Sequence, residues 1–125
     1  MVIDDDSALL GFTCKYLARL GYSVVPFRNA EEAWKQFDTP AADYSLVVLD
    51  LSMPRLSGEQ LSRMMLDARP GIRLILTSGY PFDTQKLLEA GLDRVAFLHK
   101  PFTPAMLLET VKRLLDRAAA AGAGC

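Results

Sequence analysis

Thiols and imidazoles are scarce in this sequence, which has two cysteines and one histidine in 125 residues. Cys14 falls inside a helical pattern and Cys125 at the last position, a spacing that no thiolate metal site or disulfide framework uses. Cys14 therefore reads as a small core hydrophobe. An excess of charge is missing too: 14 Lys and Arg face 15 Asp and Glu, for a formal net charge of -1. Without a basic stripe the chain lacks the electrostatic footprint of a protein that binds nucleic acid directly. No apolar run approaches the roughly 20 residues that span a bilayer. The opening residues also lack the basic and hydrophobic regions of a signal peptide, so a cytoplasmic domain with no membrane attachment of its own is expected.

Hydrophobic residues do make up 50 % of the chain, enough for one compact domain with a real core. Short β-branched or apolar runs alternate with longer stretches of helical period, the pattern of an α/β protein with a parallel sheet. Strands are expected over residues 2–4, 23–26, 46–50, 73–77 and 95–98. Leu9, Leu10, Tyr16, Leu17 and Leu20 mark the first helix, which Gly21 stops. Asn29 caps the second, with Glu32 at capping-box spacing. A third is expected over 58–66, a fourth over 83–90, and a fifth begins with Thr103 as cap and Pro104 at its first position. The alanine-rich segment 118–125 reads as a frayed tail to a domain over 1–117. The first strand is short because the chain opens on "MVIDDD", which raises the expectation that residues upstream were trimmed or belong to a larger protein.

In an open parallel sheet, ligands bind beyond the carboxyl ends of the strands. The expected first strand delivers Asp4, Asp5 and Asp6 there, the third Asp50, the fourth Thr77 and Ser78, and the fifth His99 and Lys100. If the first and third strands are neighbours, Asp4, Asp5 and Asp50 converge, and clustered carboxylates repel unless a cation or proton intervenes. Oxygen ligands without His or Cys point to a hard ion such as Mg²⁺. Lys100 and Thr77 would then offer a charge and a hydroxyl to phosphoryl oxygens, a constellation suited to phosphoryl transfer onto a carboxylate. Each residue also has a plainer reading. The acidic run can be a solvated turn favouring the first helix N-terminus, the reading preferred for Asp6. Asp50 can cap the loop after its strand, Thr77 can be a β-former, and Lys100 a surface lysine beside a turn proline. His99 is left out of the site, and Trp34 reads as a packing or surface residue.

Four ordered motifs, "VIDDDS", "VVLDLSMPRLSG", "ILTSG" and "AFLHKPF", resemble the response-regulator receiver domain of two-component signalling over essentially the whole chain. The resemblance implies a flavodoxin-like doubly wound (βα)5 fold, a five-stranded parallel sheet of order 2-1-3-4-5 with helices on both faces. It implies Asp50 as phosphoacceptor, Asp5 as a direct Mg²⁺ ligand, Asp4 acting mainly through metal-bound water, and the Ser52 backbone carbonyl as a further ligand. Thr77 becomes the switch hydroxyl, Lys100 the phosphate-pairing lysine and Phe97 the switch aromatic. A cis Lys100-Pro101 bond is also implied. The family's chemistry is self-catalysed phosphotransfer from a phosphohistidine followed by autodephosphorylation, with a histidine kinase or histidine phosphotransfer domain as partner. A homodimer would use the face of the helix over 83–90, the strand over 95–98 and the last helix. "LTSGYP" with "FLHKPFTPAMLLETV" resembles receivers of hybrid sensor kinases.

Rival readings are a phosphorylation-independent interaction or dimerisation module and a haloacid-dehalogenase-like phosphatase. The first would be expected to have lost an acid, the acceptor or the lysine. The second expects another Asp two residues after the nucleophile, where this chain has Ser52. A flavodoxin-like cofactor binder lacks support because no Gly/Ser/Thr-rich loop follows the first strand. Gly79, two residues after Thr77, is expected to leave a phosphoryl group on Asp50 open to attacking water.

Overall fold

The structure is a computed structural model that describes residues 1–39, 44–51, 58–69, 71–79 and 94–123. The helix expected over 83–90, and with it one part of the expected dimer face, Ser52 and Cys125 lie outside those residues. Five strands, β1 (Val2–Ile3), β2 (Pro26–Phe27), β3 (Leu46–Asp50), β4 (Arg73–Ser78) and β5 (Val95–His99), form one sheet. All pairings are parallel and the order is β2-β1-β3-β4-β5, as the receiver resemblance implies. Around it pack α1 (Ser7–Arg19), α2 (Ala30–Phe37), α3 (Gly58–Ala68) and α4 (Pro104–Ala123).

Strand alternation divides the interior in two. Ile3, Val47, Leu49, Leu74 and Leu76 meet Ala33 and Phe37 of α2 and Leu61 and Met65 of α3. Val2, Val48, Ile75, Ala96 and Leu98 meet Leu10 and Leu17 of α1 and Leu107, Val111 and Leu114 of α4. A sheet covered on both faces needs strands that are apolar at successive positions, which is why "LVVL" and "LIL" run without polar interruption. Trp34 packs on the α2/α3 layer, stacked on Phe37 at a centroid distance of 5.9 Å. Cys14 is half-buried against the other layer, where burial pushes its thiol pKa up.

Helix starts follow the caps expected from the sequence. The Asn29 side chain accepts from the backbone N–H groups of Glu31 and Glu32 at 2.8 and 3.2 Å. The Thr103 hydroxyl accepts from Met106 N–H at 3.1 Å. Asp6 caps α1, its carboxylate accepting from Ala8 and Leu9 N–H, which is the structural part foreseen for it. Replacing Asp6 by Ala is expected to cost about 1 kcal/mol of stability, read as a lower urea midpoint with an unchanged slope. After α1, Gly21 has φ +96, a left-handed conformation that a side chain resists. α4 continues through the alanine-rich segment to Ala123, in keeping with alanine's high helix propensity.

β2 departs from expectation. Residues 23–26 were to form it, yet the paired residues are Pro26 and Phe27. The ladder to β1 begins where Val2 N–H donates to the Val25 carbonyl at 3.0 Å and continues through the pairs Val2–Pro26 and Ile3–Phe27. Pro26 is tolerated because β2 is an edge strand. β1 ends one residue earlier than expected, and β4 and β5 each run one residue further. Among the described residues, no helix is long and apolar enough to cross a membrane.

Candidate functional site

The register that builds the sheet also assembles its carboxyl edge. β1 pairs Ile3 with Leu49, so the next residues, Asp4 and Asp50, come abreast. β3 pairs Asp50 with Thr77. Beyond Asp50, Leu51 N–H donates to the Thr77 carbonyl at 2.9 Å, and Lys100 N–H donates to the Ser78 carbonyl at 2.8 Å after β5. The Lys100-Pro101 peptide bond is cis.

Asp4, Asp5 and Asp50 each offer a carboxylate oxygen, and these atoms lie within 4.8 Å of one another. Asp4 and Asp50 are buried at 5 % and 2 % exposure, whereas Asp5 is exposed, so the cluster opens to solvent on one side. The Lys100 ammonium lies 3.0 Å from Asp4 Oδ2 and 3.2 Å from Asp50 Oδ2. Asp6 N–H donates to Asp4 Oδ1 at 2.9 Å, so the residue that caps α1 also pins the first acid of the pocket. Thr77 is buried beside Asp50.

The charges strain against one another. Burial raises the Asp4 pKa above the ordinary carboxylate value, and the charge of Asp50 adds to this, while the Asp6 N–H and Lys100 work the other way. Burial by itself would lower Lys100, but its hydrogen bonds to Asp4 and Asp50 and their negative charge outweigh that and hold it above the usual lysine value. Among the described residues, Lys100 thus reaches two of the three clustered carboxylates, Asp4 and Asp50. The donor set fits a hard divalent cation: oxygens only, close together, and open on the Asp5 side.

The structure therefore brings Asp4, Asp5, Asp50, Thr77 and Lys100 together; Ser52 lies outside the described residues. Phe97 is half-buried against the α2/α3-side core, paired in register with Leu76. His99 is exposed at the end of β5. Two supports escaped the sequence reading. One is the backbone bond from Asp6 to Asp4. The other is Gly58: a Cβ there would sit 2.5 Å from Leu51 Cα and 2.6 Å from the Asp50 carbonyl oxygen. In the sequence Gly58 was visible as the glycine that closes the "VVLDLSMPRLSG" motif and opens the third helix, not as a close neighbour of Asp50.

A doubly wound parallel domain with an acid cluster and a lysine at its carboxyl edge defines a class of signalling module, and comparison with known proteins agrees. The profile of the response regulator receiver domain matches residues 1–112, and the chain belongs to that family, a component of two-component signal transduction. It is 33 % identical over 118 residues to Protein PetR of Rhodobacter capsulatus, covering 94 % of this chain and 48 % of that one. With the alkaline phosphatase synthesis transcriptional regulatory protein PhoP of Bacillus subtilis it shares 27 % over 117 residues, 94 % of this chain and 48 % of that one. With sensor kinase CckA of Brucella abortus it shares 28 % over 117 residues, 94 % of this chain and 12 % of that one. The chain thus spans half or less of these relatives, and receivers of hybrid kinases are one kind among several.

Among solved structures, a CheY-like receiver domain protein from Methanospirillum hungatei superposes with a TM-score of 0.86 at 30 % identity, covering 96 % of this chain and 94 % of that one. The BeF3-activated DrrB receiver domain gives 0.76 at 33 %, covering 92 % and 94 %. Receiver domains partner with histidine kinases, and the pocket of Asp4, Asp5 and Asp50 is consistent with phosphoacceptor signalling.

Proposed function

We propose that this domain accepts a phosphoryl group on Asp50 from a phosphohistidine donor in a Mg²⁺-dependent reaction and changes conformation in response. The observation that carries the proposal is the convergence of Asp4, Asp5, Asp50 and Lys100 at one edge of the sheet. An Asp50 carboxylate oxygen attacks phosphorus, the P–N bond breaks, and its electron pair leaves with the imidazole, giving an acyl phosphate on Asp50. Asp4, Asp5, Asp50 and the Ser52 carbonyl would hold Mg²⁺, whose contribution is to neutralise charge on the phosphoryl oxygens. Lys100 exchanges an Asp50 oxygen for a phosphoryl oxygen, and the Thr77 hydroxyl donates to another. Phe97, half-buried one position before Leu98 on β5, then follows the movement of Thr77.

The test is intact mass after incubation with acetyl phosphate, with and without Mg²⁺, for the parent and Asp50→Asn. A gain of one phosphoryl group that needs both Mg²⁺ and Asp50 is the expected result. No Asp50-dependent gain, from acetyl phosphate or from a phosphohistidine donor, would replace this reading by the phosphorylation-independent interaction module. The lifetime of the product is a separate prediction. Among the described residues, a Cβ at Gly79 meets nothing within 4 Å, so Gly79→Ala is expected to fold as the parent does. It is expected to slow loss of the phosphoryl group several-fold by crowding the attacking water, measured as decay of the phosphorylated mass. Unchanged decay would remove Gly79 from the account.

A further inference from the structure

Two hydrogen-bonded turns meet at Asp6. The Asp4 carboxylate accepts from the backbone two residues on, Asp6 N–H donating to Asp4 Oδ1 at 2.9 Å. The Asp6 carboxylate repeats the arrangement, accepting from Ala8 N–H at 3.1 Å and Leu9 N–H at 3.2 Å. Asp6 itself is extended, with φ -79° and ψ 105°, and its carbonyl accepts from Leu10 N–H at 2.9 Å, where the bonding of α1 begins. The residue whose N–H points at Asp4 is thus held from its other side by the helix. Leu10 and Leu17 in turn bury α1 against the sheet, so a first turn that keeps its cap is fixed to the core.

Asp4 requires such a hold. Its carboxylate is buried and lies within 4.8 Å of those of Asp5 and Asp50, so repulsion between like charges favours any rotation that carries it away from them. Two bonds oppose that rotation. One is to the Lys100 ammonium, 3.0 Å from Asp4 Oδ2, but the same ammonium lies 3.2 Å from Asp50 Oδ2 and, in the proposed function, turns to a phosphoryl oxygen. The other is the Asp6 bond to Oδ1, which involves no group that the reaction moves.

We infer that Asp6 is a positioning residue for divalent-cation binding: by capping α1, its side chain aims its own backbone N–H at Asp4 and keeps that carboxylate turned into the acid cluster. The inference rests on the Mg²⁺ site of the proposed function and adds to it a residue that acts through Asp4, without itself touching cation or phosphoryl group. The cap and the pocket are then one device. Loss of the cap frees the first turn of α1, the Asp6 N–H loses its fixed direction, and Asp4 is left to Lys100 alone among the partners named above.

The experiment titrates Mg²⁺ alone into nitrogen-15-labelled protein and follows the backbone amide shifts, for the parent, Asp6→Ala, Asp6→Asn and Asn29→Ala. Asparagine caps a helix about as well as aspartate but carries no charge, whereas alanine does not cap. Asn29→Ala removes the matching cap from α2, where the bonds run to Glu31 and Glu32 N–H. Asp6→Ala is expected to bind Mg²⁺ about tenfold more weakly, the scale of losing a group that orients a metal ligand, while Asp6→Asn and Asn29→Ala keep the parent's affinity. Undiminished affinity in Asp6→Ala overturns the inference and leaves the Mg²⁺ site standing. Equal weakening in Asp6→Asn and Asp6→Ala assigns the effect to the lost charge, and equal weakening in Asn29→Ala assigns it to a general loosening of the domain; either result overturns the inference as well. A parent that binds no Mg²⁺ removes the site itself, and the inference with it.

Discussion

Asp50→Asn is expected to lose phosphoryl uptake completely and, without divalent cation, to melt at a higher temperature than the parent. The first effect follows because an amide has no carboxylate oxygen to form an acyl phosphate. The second follows from the arithmetic of the pocket. Asp4, Asp5 and Asp50 crowd their carboxylates within 4.8 Å of one another, and Asp50 is only 2 % exposed. Removing one negative charge relieves part of the mutual repulsion, while Lys100 keeps Asp4 at 3.0 Å. A gain of about 1 kcal/mol, or about 5 °C, is the scale expected when a functional site is relieved of strain. Its pH dependence has a definite sign. The Asp4 pKa is raised above 3.8 in the folded protein, so the folded state holds that proton more tightly than the unfolded one. Stability therefore falls as pH rises through the raised value. Because the Asp50 charge contributes to that rise, the advantage of Asp50→Asn is largest near neutral pH and shrinks as acid protonates Asp4. Melting curves from pH 4 to 8 read this directly, and an advantage that grew in acid would contradict the assignment. Added Mg²⁺ should reverse the order by stabilising the parent more.

Gly58→Ala carries the largest expected loss of stability. The added Cβ would stand 2.5 Å from Leu51 Cα and 2.6 Å from the Asp50 carbonyl oxygen, both backbone atoms that cannot swing aside. Alanine's helix propensity returns about 1 kcal/mol, but overpacking against backbone costs more, leaving a net loss of about 2 kcal/mol, or about 10 °C. Gly11→Ala is the control. It sits within α1 with nothing within 4 Å of the new Cβ, so the same chemical change should stabilise. Phosphorylation separates the two further. Gly58→Ala displaces the backbone that carries Asp50, and misplacement on the ångström scale can cost on the order of 100-fold in rate. Gly11→Ala should leave the rate alone.

Much of this was legible in the sequence because it rests on period and order. The apolar runs of β3, β4 and β5, the caps at Asn29 and Thr103, and the placement of Asp4, Asp5, Asp50, Thr77 and Lys100 at strand ends are local patterns. What was not legible depends on a partner strand or on backbone atoms. β-propensity put β2 at 23–26, but pairing depends on register with β1, which places the paired residues at Pro26–Phe27. Lys100 was read as a phosphate partner from its motif, while its simultaneous approach to Asp4 and Asp50 needed coordinates. Nothing in a glycine's letter says that its missing side chain makes room for the carbonyl of the acceptor eight residues earlier.

β3 is the central strand, held by β1 on one side and β4 on the other, and the rung at Asp50 and Thr77 is followed at once by the Leu51 to Thr77 backbone bond. In mechanical terms Asp50 is mounted on a strand clamped from both sides. A charge added there meets a strand that is paired on both sides and cannot readily slide. On the proposed function, a phosphoryl group on Asp50 is therefore answered by side chains around it, not by a shift of β3.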